Sequence, residues 1–424
     1  MSRIALLSSE PIRPRMAGIG IRYLELAVRL PRYGVETVLI SPAAPEETAE
    51  IAALAGTPAR RFAPGRMREL VSGCDGAVAQ GQNANDVLLE VPELPVAIDL
   101  YDPWLVENMN YTAELGLAPY RNDHATWVLQ MARGDFFLCS SEEQRAFYLG
   151  FLAALGRVNP ERVAADPDLA GLIAPVPFGV PDELPPHRPY LPPRAAGERR
   201  ILFGGLYDWY DPWTLLDALD RLGRAEATLL LIRNPNAEST PQRLFAAVEE
   251  RCRRRGIWGT RVQALDWVAA ERRFDLLRDV DLLAAPHRPN LETRLSLRTR
   301  FLDALAAGCP VVTSEGGAMS RLLAQHGAGW VVPPGDAEAL CAAMAAALDD
   351  AALREARRRG ASELLRAFRW DQALAPLVRF CAQPKVDPTK ERFAFRPETV
   401  VPPERALDRL GRRLRRALRR RARP

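Results

Sequence analysis

The chain has 424 residues, 48% hydrophobic and 26% charged, with a formal net charge of +4. That length is too great for one ordinary core and predicts two domains with additions, in a soluble globular protein. No uncharged apolar run nears the ~18 residues of a membrane span, and MSRIALLSSEPIRP lacks a signal-peptide cleavage pattern.

Six cysteines stand singly, without a C-x-x-C, and read as reduced thiols of a cytoplasmic protein. Charge is unevenly spread. Residues 403–424 carry ten arginines against Glu404 and Asp408, leaving the rest of the chain at −4. A mildly acidic body argues against a nucleic-acid-binding surface, so no nucleic acid is expected as a partner.

The first series of short apolar runs is RIALLS, VETVLIS, DGAVAQ, PVAIDLY, DFFLCSS and LIAPVPF, with helical stretches such as GIRYLELAVRL between them. This alternation predicts parallel α/β units. Residues 181–198 contain six prolines and continue neither pattern, so they read as an interdomain linker. A second series follows: RRILFGG, ATLLLIRN, RVQALDW, VDLLAAP, CPVVTS and GWVVPP. The predicted fold is thus α/β, two Rossmann-like doubly wound parallel-sheet domains at 1–180 and 199–365. A closing helix at 366–383, a linker at 384–402 and a basic amphipathic tail at 403–424 complete it. Ligands of open parallel sheets bind beyond the carboxyl ends of the strands, so two such edges facing each other make an interdomain cleft.

One stretch, LETRLSLRTRFLDALAAGCPVVTSEGG (291–317), is electrostatically odd. Its helix TRFLDALAA starts among Arg294, Arg298 and Arg300, although unpaired N–H groups already make that end positive. A bound anion would account for the clustering; the alternative is a surface network in which the arginines pair with Glu292, Asp303 and Glu315.

FLDALAAGCPVVTSEGG resembles the signature of the family 4 (group 1) retaining glycosyltransferases with the GT-B fold. RMAGIGIRYLELAVRL is similar to their glycine-rich loop and first helix, PFGVPD to the end of their first domain, and GWVVPPGDAEAL to a late segment of the second. The resemblance implies an acceptor-side first domain and a second domain that binds a nucleotide-diphosphate sugar. Under it, Arg298 and Arg300 would fork onto phosphate oxygens, the helix start at Thr299 would add N–H donors, and Gly316 and Gly317 would admit the same phosphates closely. Gly18 and Gly20 would contact donor or acceptor by their backbone.

The chain departs from that pattern in three places. The usual pair of acids would need Glu at 295 and 303, where Leu295 and Asp303 stand. Asp303 is assigned the ribose and Glu292 the donor sugar. The customary Arg-Lys pair after the first strand of the second domain gives way to Gly205 and Tyr210, and a His-Asp pair in the first domain becomes Tyr101-Asp102. The catalytic set implied is Glu292, Asp102 and Arg298. Tyr207 and Asp208, in YDWYDPW, read either as a sugar-binding wall or as aromatics packed around a Pro-initiated helix. The two D-x-D triplets, 166–168 and 279–281, are discounted as metal sites, so neither metal nor cofactor is expected.

Leu407, Leu410, Leu414 and Leu418 share one face of an arginine-rich helical pattern, which suits a segment that binds an anionic membrane surface; nucleic-acid binding or a simple solvated tail are the alternatives. The resulting expectation is a glycosyltransferase that passes a sugar to a hydroxyl of a glycan or lipid-linked glycan in cell-surface polysaccharide or glycolipid synthesis. It would act peripherally on the inner face of the plasma membrane. The rival readings are a nucleotide-sugar 2-epimerase and a catalytically degenerate glycan-binding subunit.

Overall fold

The computed structural model describes residues 1–44, 46–48, 56–234 and 242–395; the basic tail lies outside them. The first sheet holds β1 (Ser2–Leu7), β2 (Val35–Ser41), β3 (Ala59–Arg61), β4 (Gly76–Ala79), β5 (Val96–Asp99), β6 (Phe136–Cys139) and β7 (Ile173–Pro175). The second holds β8 (Arg199–Gly205), β9 (Ala227–Ile232), β10 (Val262–Leu265), β11 (Leu282–Ala285), β12 (Val311–Ser314) and β13 (Trp330–Val332). Their orders are β3-β2-β1-β4-β5-β6-β7 and β10-β9-β8-β11-β12-β13. All neighbours run parallel.

Parallel strands sandwiched by helices are buried on both faces, which is why they read as continuous apolar runs. Ile4, Ala5, Leu6 and Leu7 are all 0% exposed. Each apolar run in the sequence became a strand. The thirteenth strand, β3, has no such run: it is a three-residue edge carrying Arg60 and Arg61.

In each sheet the winding direction reverses once, between β1 and β4 and between β8 and β11. The crevices that doubly wound sheets use for ligands open at those two points. The loops leaving β1 and β8 line one shared cleft, which fixes where chemistry can occur.

The Pro-rich stretch is held to the second domain instead of hanging free. Asp279 accepts from Tyr190 N at 2.5 Å, Leu191 N at 2.8 Å and His187 Nε2 at 2.9 Å, and Asp275 accepts from Arg188 N at 3.0 Å. The chain crosses between domains at a narrower place. Val180 N donates to Phe368 O at 2.7 Å, and a Cβ on Gly179 would lie 2.3 Å from Trp370. Beyond it, Trp370, Leu374, Leu377 and Cys381 return to the core of the first domain.

Residues 387–393, read from sequence as part of a linker, form a strap with buried charges. Arg157 Nη2 donates to Asp387 Oδ2 at 2.8 Å, and Lys390 Nζ to Asp135 Oδ1 at 2.8 Å. The six cysteines are unbonded thiols.

Candidate active site between the two domains

The cleft encloses ≈ 960 Å³. Contacts outside its lining also join the two domains. Trp267 Nε1 donates to Met16 O at 3.2 Å, and Arg273 reaches Glu25 at 3.6 Å. Two further ion pairs cross between the domains: Arg243 meets Glu114 at 3.0 Å, and Arg321 pairs with Glu143.

The second-domain wall resolves the crowding of arginines. Asn290 caps the short helix Leu291–Leu295 by accepting from Thr293 N at 2.7 Å, and the chain then runs extended through Ser296. This geometry turns Arg298 back onto Glu292: Nη1 donates to Oε1 at 2.6 Å and Nη2 to Oε2 at 2.5 Å. Both are buried, Glu292 to 1% exposure. The carboxylate holds the Arg298 guanidinium firmly charged despite its burial.

Arg300 is held differently. Its Nη1 donates to the carbonyls of Phe203 at 3.2 Å and Gly205 at 3.1 Å, and its guanidinium lies 4.7 Å over the Tyr210 ring. A bulge in β8 presents those carbonyls. It is centred on Gly204, whose φ of +93° requires glycine and whose lack of a Cβ leaves room for the Arg300 guanidinium, 2.8 Å from where one would stand. Neutral acceptors orient Arg300 without cancelling its charge. The helix it begins, Thr299–Ala306, has neither a side-chain cap nor an acid in its first turn. Arg294 is exposed.

The first-domain wall is built on a buried ion pair, Arg22 Nε to Asp99 Oδ2 at 2.7 Å, which fixes the end of β5. Three residues on, Asp102 accepts from Gln80 Nε2 at 3.3 Å. Burial, then the nearby Asp99 charge, push the Asp102 carboxyl up to about 7. Glu107 too is raised well above the usual carboxylate range, by burial and then by Asp102. Glu10 occupies the start of the helix Gly18–Arg29, accepting from Ala17 N at 2.5 Å and Gly20 N at 2.7 Å. Gly18 leaves room for the Tyr101 hydroxyl, 2.8 Å from where a Cβ would stand.

Aromatic rings complete the lining. Tyr207 stacks on Trp209 with centroids 5.0 Å apart and planes 4° from parallel, and Tyr111 of the first domain meets Trp209 at 6.3 Å. Behind them His287 bonds Thr313 through Nδ1 at 3.1 Å, and burial followed by Arg298 depresses its pKa far enough to keep it neutral.

The structure therefore gathers Asp102, Gly18, Tyr207, Arg298, Thr299 and Arg300 on one cleft, with Glu292 directly behind Arg298. Four other candidates, and Gly20, face elsewhere. Gly20 spends its N–H on Glu10. Asp208 pairs with Arg243 at 3.5 Å, and Asp303 with Arg273 at 3.4 Å, because each finds a cation on the neighbouring helix. Gly316 and Gly317 line a separate depression of ≈ 550 Å³ with Arg294; Gly317 is there to pass Thr293 O, 2.7 Å from where a Cβ would stand. Glu315 pairs with none of the three arginines.

Sequence reasoning missed Glu10, Arg13, Glu107 and Tyr111 in the lining. For two of them a signal existed. Trp104, Glu107, Asn108 and Tyr111 recur at helical spacing after a strand end, and this is the face presented to the cleft.

A family model described as "Glycosyl transferases group 1" matches residues 198–350. A phosphatidyl-myo-inositol mannosyltransferase of Mycolicibacterium smegmatis is 34% identical over 24% of this chain and 26% of its own length. The protein of the same name from Mycobacterium leprae is 28% identical over 44% of this chain and 48% of its own. The match thus spans half or less of these relatives. Among solved structures, a sucrose-phosphate synthase from Thermosynechococcus elongatus superposes with a TM-score of 0.64 at 16% identity, covering 90% of this chain and 99% of the other. Anabaena HepE, solved with UDP-glucose, gives 0.60 at 14% identity over 90% of this chain and 99% of the other. Both share the two-domain GT-B fold found here.

Proposed function

We propose, from the match of residues 198–350 to the group 1 glycosyl transferases, that the chain is a retaining glycosyltransferase. It moves a sugar from a nucleotide-diphosphate sugar to a hydroxyl of a glycan or lipid-linked glycan. One observation carries the reading. The two switch-point edges share a cleft in which Arg300 keeps its charge beside an uncapped helix start.

In this reading the diphosphate lies against Arg300, the N–H groups of the Thr299 helix and Arg13, where developing negative charge is stabilised in place. Arg298 acts with Glu292 as a preset pair, its outer face toward the leaving group and the carboxylate keeping it oriented. The acceptor hydroxyl attacks the anomeric carbon on the face from which the diphosphate departs. The C–O bond to phosphate breaks, and the hydroxyl proton passes to the departing phosphate oxygen. Asp102, on the opposite wall, accepts hydrogen bonds from sugar hydroxyls. Asp208, Asp303, Gly20, Gly316 and Gly317, the other residues expected to bind the donor, lie off this lining and are given no part in it.

The UDP-glucose bound to Anabaena HepE supports this donor class. No helix among the described residues is long and apolar enough to cross a membrane. We assign membrane attachment on the cytoplasmic face of the plasma membrane to residues 403–424. Thermal-shift screening against nucleotide sugars, followed by mass spectrometry of products, tests the function. A donor that stabilises the protein and yields a transferred sugar is expected. Failure of every nucleotide sugar to bind would refute it.

A further inference from the structure

The cleft lining contains two chemistries. Arg300, Arg13 and the Thr299 helix start suit an anion. The remainder is acidic and aromatic: Asp102, Trp104, Glu107 and Tyr111 from the first domain, Trp209 from the second. Nothing in the proposed handling of the diphosphate uses this second group.

Two of its members carry polar atoms without partners. The Tyr111 hydroxyl and the Trp209 indole N–H make no hydrogen bond, although the residues are only 4% and 5% exposed. Buried donors are nearly always paired, so each orphan calls for an explanation. These two come from different domains and meet at 6.3 Å between ring centroids, on a shared lining. Tyr111 stays a protonated donor, because burial and then the Asp208 carboxylate raise its phenol. The neighbouring carboxyls, Asp102 and Glu107, can accept hydroxyl hydrogens. Flat apolar rings, unpaired donors and carboxyl acceptors together match a ring that has C–H faces and hydroxyl groups.

We infer that Tyr111, Trp209, Asp102 and Glu107 form the seat of the acceptor's ring, and that this ring is an uncharged polyol, a sugar or cyclitol bearing neither phosphate nor carboxylate. The charge preference follows from geometry. An anionic ring here would find no free cation: the carboxyls beside it offer none, and Arg298 across the cleft is already neutralised by Glu292 at 2.5 Å. The cleft thus separates its substrates by charge: the anionic donor at Arg300, the neutral acceptor between Tyr111 and Trp209. This rests on the glycosyltransferase reading of the cleft.

Saturation-transfer NMR on the full chain, with UDP present, tests it using methyl α-mannoside and myo-inositol as neutral probes, and glucuronate and inositol 1-phosphate as anionic ones. The neutral probes are expected to bind at least tenfold more tightly than the anionic ones. Tyr111→Phe, which removes only the hydroxyl, and Trp209→Phe should each weaken them roughly three- to tenfold while leaving UDP affinity within twofold. Equal binding of neutral and anionic probes overturns the inference, as does a Tyr111→Phe protein with unchanged polyol affinity, or UDP binding with no polyol binding at all. Polyol binding without UDP binding leaves the seat standing and strikes the glycosyltransferase reading instead.

Discussion

Arg298 closes both terminal nitrogens onto the carboxylate of Glu292, at 2.6 and 2.5 Å, inside the second domain. The arrangement separates two arginines that look equivalent in sequence. Arg298 has its counter-ion built in, whereas Arg300, two residues later, is bonded only to neutral carbonyls.

Stability is the first consequence. Arg298→Ala strands a buried carboxylate, so it should destabilise the protein by about 3–5 kcal/mol. The double variant Glu292→Leu/Arg298→Met removes both charges and should recover most of that loss. Urea denaturation of the two proteins measures the difference, and a double variant as unstable as the single one would contradict the pairing.

Asp102 makes the cleft pH-dependent. Its folded-state pKa is raised from 3.8 to about 7, because burial and Asp99 oppose its charge. The sign follows from that direction: its contribution to stability is full below the unfolded value and is lost as pH rises through about 7. If the carboxylate is the form that receives sugar hydroxyls, kcat/KM should climb over the same interval near neutrality. Asp102→Asn should flatten both the stability slope and the rate profile there. A wild-type profile level from about pH 6 to 8 would argue against the assignment.

The strap gives the opposite sign. Asp387 is drawn down from 3.8 to about 2; burial alone would raise it, but hydrogen bonds from Arg157, Thr389 and Arg162 outweigh that. Its stabilisation is therefore present above pH 3.8 and lost as pH falls toward 2. Asp387→Ala leaves Arg157 buried without its carboxylate, and about 3–5 kcal/mol should be lost, chiefly from the first domain. Hydrogen exchange localises the effect. Protection loss confined to the second domain would be the wrong result.

How much of this was readable beforehand depends on how local each cause is. Twelve strands were legible because burial on both faces writes an apolar run into consecutive residues. β3 was not, since it is held as a short edge by pairing of Leu39, Ile40 and Ser41 with Ala59, Arg60 and Arg61. The cationic helix start was legible as charge, yet its meaning was not. The turn through Ser296 decides that Arg298 folds back on Glu292, and no periodicity encodes a turn of that kind. Glu10 was invisible for a similar reason: a loop alone brings its carboxylate to the amides of Ala17 and Gly20. The anchoring of residues 387–393 depends on partners distant in the chain, with Arg157 lying 230 positions before Asp387.

Deleting residues 403–424 should leave nucleotide binding intact, because the cleft is built from residues 9–300. Binding to vesicles rich in phosphatidylglycerol should fall sharply, and in the full chain it should weaken with salt as arginine charge is screened. Co-sedimentation at two ionic strengths reads both effects. A full-length protein that ignores such vesicles at low salt would rule out this attachment.

Whether Arg300 holds the donor's diphosphate decides the functional reading, and isothermal titration calorimetry tests it most directly. Wild type, Arg300→Ala and Arg300→Lys are titrated with UDP or GDP, whichever binds wild type, alongside thermal melts of the same proteins. Arg300→Ala should lose about 1.5–3 kcal/mol of binding, the range for a hydrogen bond to a charged group, with partial recovery in Arg300→Lys and little change in Tm. Equal affinity in all three proteins, or a loss of stability with affinity unchanged, would contradict it.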